Sequence, residues 1–182
     1  VSQIRSVSAD SFVVMGSTSE QDIQQINASG FAPFEPVLNT SASLPNGAAT
    51  FAVDQSSTIA AHGIIASGSA LSNSTIVLST GFCYSVGLTT MQVVFDLDQP
   101  TAFRAIASLA AGSNAQTKLI LTGSAGAVIN ANLIGTTDQM RTSGLLAAGR
   151  YTLVASSFAS TTLSSIATQS DAAAFTLFFS TS

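Results

Sequence analysis

The side chains that could support catalysis are few in this sequence. His62 is the only histidine, Cys83 is the only cysteine, and the nine Asp and Glu residues are scattered along the chain. A Ser-His-Asp site would have to use His62, and no Gly-x-Ser-x-Gly turn presents a serine nucleophile. Between Ala61 and Gly63, His62 is predicted to be a packed or edge residue of a strand rather than a general base. The sequence therefore predicts that the protein is not an enzyme.

The single cysteine is predicted to be structural. It lies in the apolar segment GFCYSVG, and a lone cysteine in such a setting usually behaves as a small buried hydrophobic residue. A reactive thiolate needs a histidine or a cation nearby. One histidine and one cysteine, about twenty residues apart, do not make a tetrahedral zinc site.

Asp96 and Asp98 are the candidate metal ligands. They stand two positions apart, on one face of a predicted strand beside the Gln99-Pro100 turn, and hard cations use carboxylates near loops. Calcium takes about six to eight oxygen ligands, whereas two carboxylates are visible here. The competing interpretation is a solvated polar face that discourages pairing with another strand. Calcium stays as an alternative, and no other cofactor is predicted.

Carbohydrate recognition by a β-sandwich usually uses exposed aromatic rings, which are scarce here. The chain has no Trp, and its tyrosines are Tyr84 and Tyr151. The eleven Phe fall mostly on apolar strand faces, which favours core packing. No pair of acids can be assigned to glycoside hydrolysis. A carbohydrate-binding module is therefore the weaker alternative. Glycosylation at the Asn-x-Ser/Thr sequences of Asn27, Asn39 and Asn73 stays open.

Composition excludes several classes of partner. Charged residues are 8% of the chain, against about 25% in ordinary domains. The net charge is −4, and the five cations are too dispersed to bind nucleic acid or anionic membranes. No apolar run approaches the roughly 18–20 residues that span a bilayer. VSQIRSVSAD lacks the features of a signal peptide. The Ser- and Thr-rich composition favours a signal that has been removed, and therefore a secreted or cell-surface protein.

Alternation of apolar and polar residues predicts β-strands along most of the chain. In LLAAGRYTLVASS, residues 145–157, Tyr151, Leu153 and Ala155 alternate with more polar residues. The same pattern predicts strands at 11–16, 49–55, 91–98, 102–111 and 173–182, two strands around Gly81 within 74–88, and one long or bent strand at 57–72 interrupted at Gly63 and Gly68. The residues predicted to face the core are Val93, Phe95, Leu97, Phe103, Leu119, Leu121, Tyr151, Leu153, Phe175, Leu177 and Phe179.

The segment STSEQDIQQINASG, residues 17–30, is the one place where a helix is predicted. Ser19 could cap the first turn with Asp22 three positions on, and Ile23 and Ile26 give a thin apolar stripe. A short helix near 19–28 and a polar loop are the two alternatives.

The spacing of the strands predicts the architecture. Strands at intervals of about 8–12 residues, separated by turn residues, are typical of an antiparallel β-sandwich. There is no room for the helices of a parallel sheet. We therefore expect an all-β sandwich of jelly-roll type, in one domain spanning 1–182, in which residues 1–30 could form an N-terminal extension.

The second half of the chain resembles a bacterial extracellular pattern. FDLDQPTAFRAIASL, KLILTGSAGAVI, LLAAGRYTLVASS and AAFTLFF follow one another as in pre-peptidase C-terminal (PPC-like) jelly-roll modules. The order is more similar to the secreted β-sandwich proteins that precede a Pro-Glu-Pro C-terminal sorting signal (PEP-CTERM). FAVDQSSTIAAHGIIASGSA extends the resemblance over about residues 31–182, from which this sequence departs in that it reaches Ser182 without a Pro-Glu-Pro. The resemblance implies export and a non-catalytic role, and it carries over no functional residue.

These observations favour a non-catalytic structural or adhesion module outside the cell or on its surface. Its partners would be extracellular matrix, a surface glycan or other copies of itself. The alternatives are a carbohydrate-binding module, with or without calcium, and a self-assembling filament or sheath subunit. The latter follows from the low charge, because uncharged strand edges associate readily.

Overall fold

Long stretches of alternating residues form β-strands in the computed structural model, which describes residues 1–78 and 80–182. Within these residues no helix forms. The strands are β1 (Ser2–Met15), β2 (Thr18–Ala28), β3 (Val37–Leu44), β4 (Gly47–Ala60), β5 (Gly63–Ile76), β6 (Phe82–Leu97), β7 (Thr101–Ala111), β8 (Ala115–Gly123), β9 (Gly126–Ile134), β10 (Thr137–Leu146), β11 (Gly149–Leu163) and β12 (Ala167–Thr181).

The strands make two six-stranded sheets that pack face to face. Sheet A has the order β2-β1-β6-β11-β8-β9, and sheet B has the order β10-β7-β12-β5-β4-β3. All neighbouring strands are antiparallel. Most connections cross from one sheet to the other, as expected of a jelly roll. The predicted all-β antiparallel sandwich is confirmed.

Alternation places the predicted core residues on the inner faces. On β6 the inner side chains include Met91, Val93 and Phe95, and the register sets Phe95 opposite Tyr151 on β11. All the residues predicted to face the core are buried except Leu97, which is partly buried at the end of β6. The backbone groups of these strands therefore form hydrogen bonds within each sheet, and their apolar side chains are buried between the two sheets.

The interior alternates apolar layers with hydroxyl layers. Apolar clusters occupy the end around Phe95, the middle and the opposite end around Cys83. Between the middle and the Cys83 end, the Thr161 hydroxyl lies 2.7 Å from the hydroxyls of both Ser72 and Ser74. Buried hydroxyls that bond one another avoid the cost of desolvation without a partner.

The predicted helix near 19–28 is wrong, and so is the alternative of a polar loop. The segment is β2, which forms a hairpin with β1 across the Gly16-Ser17 turn, where Gly16 takes a φ of 60°. Ile23 and Ile26 are 64% and 39% exposed, so they do not form a core-facing stripe. Pairing along the free edge of β1 outweighed the weak helical preference of this polar segment.

The prediction of one long or bent strand at 57–72, interrupted at Gly63 and Gly68, is also wrong: two strands meet at a turn just before Gly63, and Gly68 lies inside β5. The chain reverses at Ala61-His62, and β4 pairs with β5 as a hairpin that begins at Ala60 and Gly63. His62 is thus an exposed turn residue and not the packed or edge strand residue that was predicted. The two strands predicted around Gly81 are confirmed as the end of β5 and the start of β6, although residue 79 lies outside the described residues.

Candidate functional site

The two candidate calcium ligands lie at the end of β6. Asp96 is exposed and faces Arg150, its register partner on β11. The guanidinium donates to both carboxylate oxygens, at 2.9 and 3.1 Å. These hydrogen bonds lower the pKa of Asp96 and raise the pKa of Arg150. Asp98 lies just beyond the strand. A cation that bound Asp96 would compete with the charge and the two hydrogen bonds of Arg150.

The reactive residue types lie far from one another. Cys83 is fully buried on the inner face of β6, as predicted, and burial raises the pKa of its thiol. His62 lies in the exposed β4–β5 turn, beside the opposite end of β6. Among the residues that the structure describes, no three His, Cys, Asp or Glu side chains gather closely enough to hold a metal ion.

Arg5 is a buried cation that sequence reasoning did not distinguish from the other dispersed cations. Its side chain is 1% exposed, and its guanidinium lies 5.2 Å from the centre of the Phe34 ring. It donates hydrogen bonds to oxygen atoms of Gln3, Gly30, Ala32 and Ser57. Burial lowers the pKa of Arg5, but an arginine stays protonated in proteins. The contacts fasten the segment between β2 and β3 to the sandwich.

Asp171 is a second buried charged group with a structural role. Its carboxylate accepts hydrogen bonds from the backbone N–H groups of Asn114 and Ala172 and from the hydroxyl of Ser113. A Cβ atom on Gly112 would lie 1.8 Å from its Oδ1 atom. Asp171 therefore fixes the turn between β7 and β8, and the absence of a side chain at position 112 makes room for it.

Three aromatic rings form a cluster on the outer face of sheet A, and we call Phe12, Phe82 and Tyr84 the aromatic cluster. The ring centres of Phe12 and Tyr84 are 5.4 Å apart, and Phe82 lies 6.4 Å and 6.0 Å from them. Phe12 and Tyr84 are directly opposite each other on β1 and β6. Phe82 is 37% exposed, and the other two rings are half-buried.

A polar network borders the aromatic cluster. The Tyr84 hydroxyl donates to Asp10 at 2.8 Å. The Gln21 amide donates to both Asp10 oxygens, at 3.1 and 3.2 Å, and to the Tyr84 oxygen at 3.3 Å. Partial burial, followed by the hydrogen bond and the charge of Asp10, raises the pKa of Tyr84. The phenol therefore stays neutral and holds the ring in place.

The outward position of these rings departs from the prediction that Phe residues pack mainly in the core. That prediction holds for Phe51, Phe95 and Phe175, which are buried. The signal that could have found the cluster lies in GFCYSVG, because an inward Cys83 turns both of its neighbours outward. Phe12 follows the same rule beside the buried Val13.

Fold and site together define a β-sandwich that displays an aromatic cluster on one outer face. No protein-family model matches the chain, and the search of curated proteins also gave no match. Within the described residues, no helix has the length and apolar character needed to cross a membrane.

We expect replacement of Arg5 by Met to destabilise the protein strongly. The buried oxygens of Ser57 and the carbonyl oxygens of Gly30 and Ala32, whose hydrogen bonds are partly buried, would lose their donor, at a combined cost of about 2–3 kcal/mol. Urea denaturation measures this loss. Arg104→Met is the control, because Arg104 is exposed on β7 and such a change should cost less than about 0.5 kcal/mol. Equal effects of the two substitutions would contradict a structural role for Arg5.

Proposed function

We propose that this protein is a non-catalytic adhesion module that acts outside the cell or on its surface. The observation that carries the proposal is the aromatic cluster, which a rigid six-stranded sheet presents beside a fixed polar network. Exposed aromatic side chains next to polar groups are characteristic of binding surfaces. The proposed partners of the module are extracellular matrix and surface glycans.

The contacts of the charged side chains support a role without catalysis. Arg5 and Asp171 are used inside the protein, and Asp96 pairs with Arg150. Acid–base catalysis requires titratable groups that are close together and free to exchange protons with a substrate. Each of these groups instead holds a neighbouring segment or an opposite charge.

Antibody labelling of intact cells of the source organism tests the location on which this function depends. Antibodies against the chain, followed by gold labelling and electron microscopy, should mark the outside of intact cells. Labelling that appears only after permeabilisation would contradict the proposal. A cytosolic protein serves as the control for intact membranes.

A self-assembling subunit is the second candidate, because the edges of the sheets differ. At the edge of sheet B, β3 is covered by β2: the Gln24 amide donates to the Asn39 carbonyl at 2.9 Å, and Asp22 accepts from the Ser41 N–H at 3.1 Å. At one edge of sheet A lies β9, which carries no charged residue and in which Ile134 is 59% exposed. An uncharged edge strand can pair with a second chain.

Size-exclusion chromatography with light scattering tests this candidate. If β9 pairs with another copy, the protein should elute above its monomer mass of 18.4 kDa, and Ile134→Lys should return it to the monomer by placing a charge on the edge. Val37→Lys on the covered β3 strand is the matched control and should leave the association unchanged. A monomer at high concentration across salt conditions would remove this candidate.

A further inference from the structure

The aromatic cluster is already ordered before any ligand arrives. Its rings contact one another, and the Tyr84 hydroxyl is held by Asp10 and Gln21. Binding to such a surface loses little side-chain entropy, which is the main cost of using long flexible side chains. Because the Phe82 ring is tilted by 59° to both Phe12 and Tyr84, the exposed Phe82 ring is the one suited to stack on a flat apolar surface of a ligand, and the other two rings hold it in place.

The charge around the cluster selects against anionic ligands. Asp10 is the nearest ionisable carboxylate, and it accepts the hydrogen bond of the Tyr84 hydroxyl. The five cations of the chain lie elsewhere. Arg5 is buried, Lys118 is on β8, Arg104 and Arg141 are on sheet B, and Arg150 pairs with Asp96 at the other end of β6. A phosphate, sulfate or uronic acid would thus meet a carboxylate without a compensating cation.

The polar groups beside the rings match the hydroxyl rim of a sugar. A carboxylate has acceptor sites for about four hydrogen bonds, and in the described residues Asp10 accepts from Tyr84 and Gln21 alone. Gln21 is exposed, and because its amide N–H groups already bond to Asp10 and Tyr84, it offers its carbonyl oxygen as an acceptor. A neutral pyranose combines an apolar C–H face with hydroxyl groups around its edge. Rings and polar groups at this spacing can satisfy both parts at once.

The outer face of β6 extends this surface along the strand. Beyond Tyr84 the next outward residues are Val86, which is half-buried, and Leu88, which is 37% exposed. The facing residues on β11 include Thr162 opposite Tyr84 and Ser160 opposite Val86. An extended chain of sugars could therefore contact apolar and hydroxyl side chains in turn.

We propose that the aromatic cluster, with Asp10 and Gln21, binds a neutral polysaccharide. A pyranose ring stacks on Phe82, the most exposed of the three rings, and its hydroxyls donate to the Asp10 carboxylate and the Gln21 carbonyl. This assignment rests on the proposed adhesive function and names the ligand class of that same surface.

Affinity electrophoresis in native gels tests the proposal. The gels contain hydroxyethylcellulose, galactomannan or dextran as neutral probes and alginate as the polyanionic probe. The protein should be retarded by at least one neutral polymer and not by alginate. Phe82→Ala and Asp10→Ala should each weaken the affinity, measured from the retardation, roughly tenfold, because each removes one stacking or hydrogen-bonding contact.

Two further variants keep the outcome interpretable. Phe82→Leu retains an apolar side chain but loses the aromatic face, so it should weaken binding even if Phe82→Ala fails to fold. Phe178→Ala is the matched control, because Phe178 is 42% exposed on the outer face of sheet B. Circular dichroism and thermal unfolding verify the fold of each variant.

The proposal is overturned if none of the neutral polymers retards the protein, if alginate retards it equally, or if Phe178→Ala weakens binding as much as the cluster variants. Surface labelling of cells without polysaccharide binding would contradict this proposal alone. Polysaccharide binding by a protein that is found only inside cells would contradict the proposed extracellular function and leave this assignment standing.

Discussion

The close approach of the two sheets at Gly87 and Phe51 is the constraint on which the rest of the structure depends. A Cβ atom on Gly87 of sheet A would lie 2.2 Å from the Phe51 ring of sheet B. The Phe51 ring therefore occupies the space that the side chain of any other residue at position 87 would fill. Because a shift of one residue would exchange the inner and outer faces of β6, this contact also fixes which side chains reach the surface. The outward position of Tyr84 and Phe82 depends on the same register.

The interior combines this tight packing with an unusual share of polar side chains. The Ser72, Ser74 and Thr161 hydroxyls bond within one layer, and Arg5 and Asp171 satisfy backbone groups of turns and connections. Such groups stabilise the fold only while all their partners are in place. Arg5 and Asp171 thereby serve the structure of the fold, and the adhesive role proposed above rests instead on the outer face of sheet A.

The alternation of apolar and polar residues predicted the strands and their inner faces where the pattern was regular. The strand at 91–98 and the core position of Phe95 followed from period two alone. The β2 strand and the turn at His62 did not, because pairing with a neighbouring strand decided them. The outward position of Phe12 was missed because a phenylalanine usually favours the core, and the alternation of inward and outward side chains along β1 was not taken into account. Arg5 was missed because the partners that bury it come from distant segments.

A double-mutant cycle between Gly87 and Phe51 tests the central contact most directly. Gly87→Ala should lower the free energy of unfolding by about 1–3 kcal/mol, as expected for overpacking, whereas Gly30→Ala, where a Cβ meets nothing within 4 Å, should not. In a Phe51→Leu background the cost of Gly87→Ala should fall, with a coupling energy above about 0.5 kcal/mol. Additive effects in urea denaturation would show that this contact does not set the spacing of the sheets and would contradict the account.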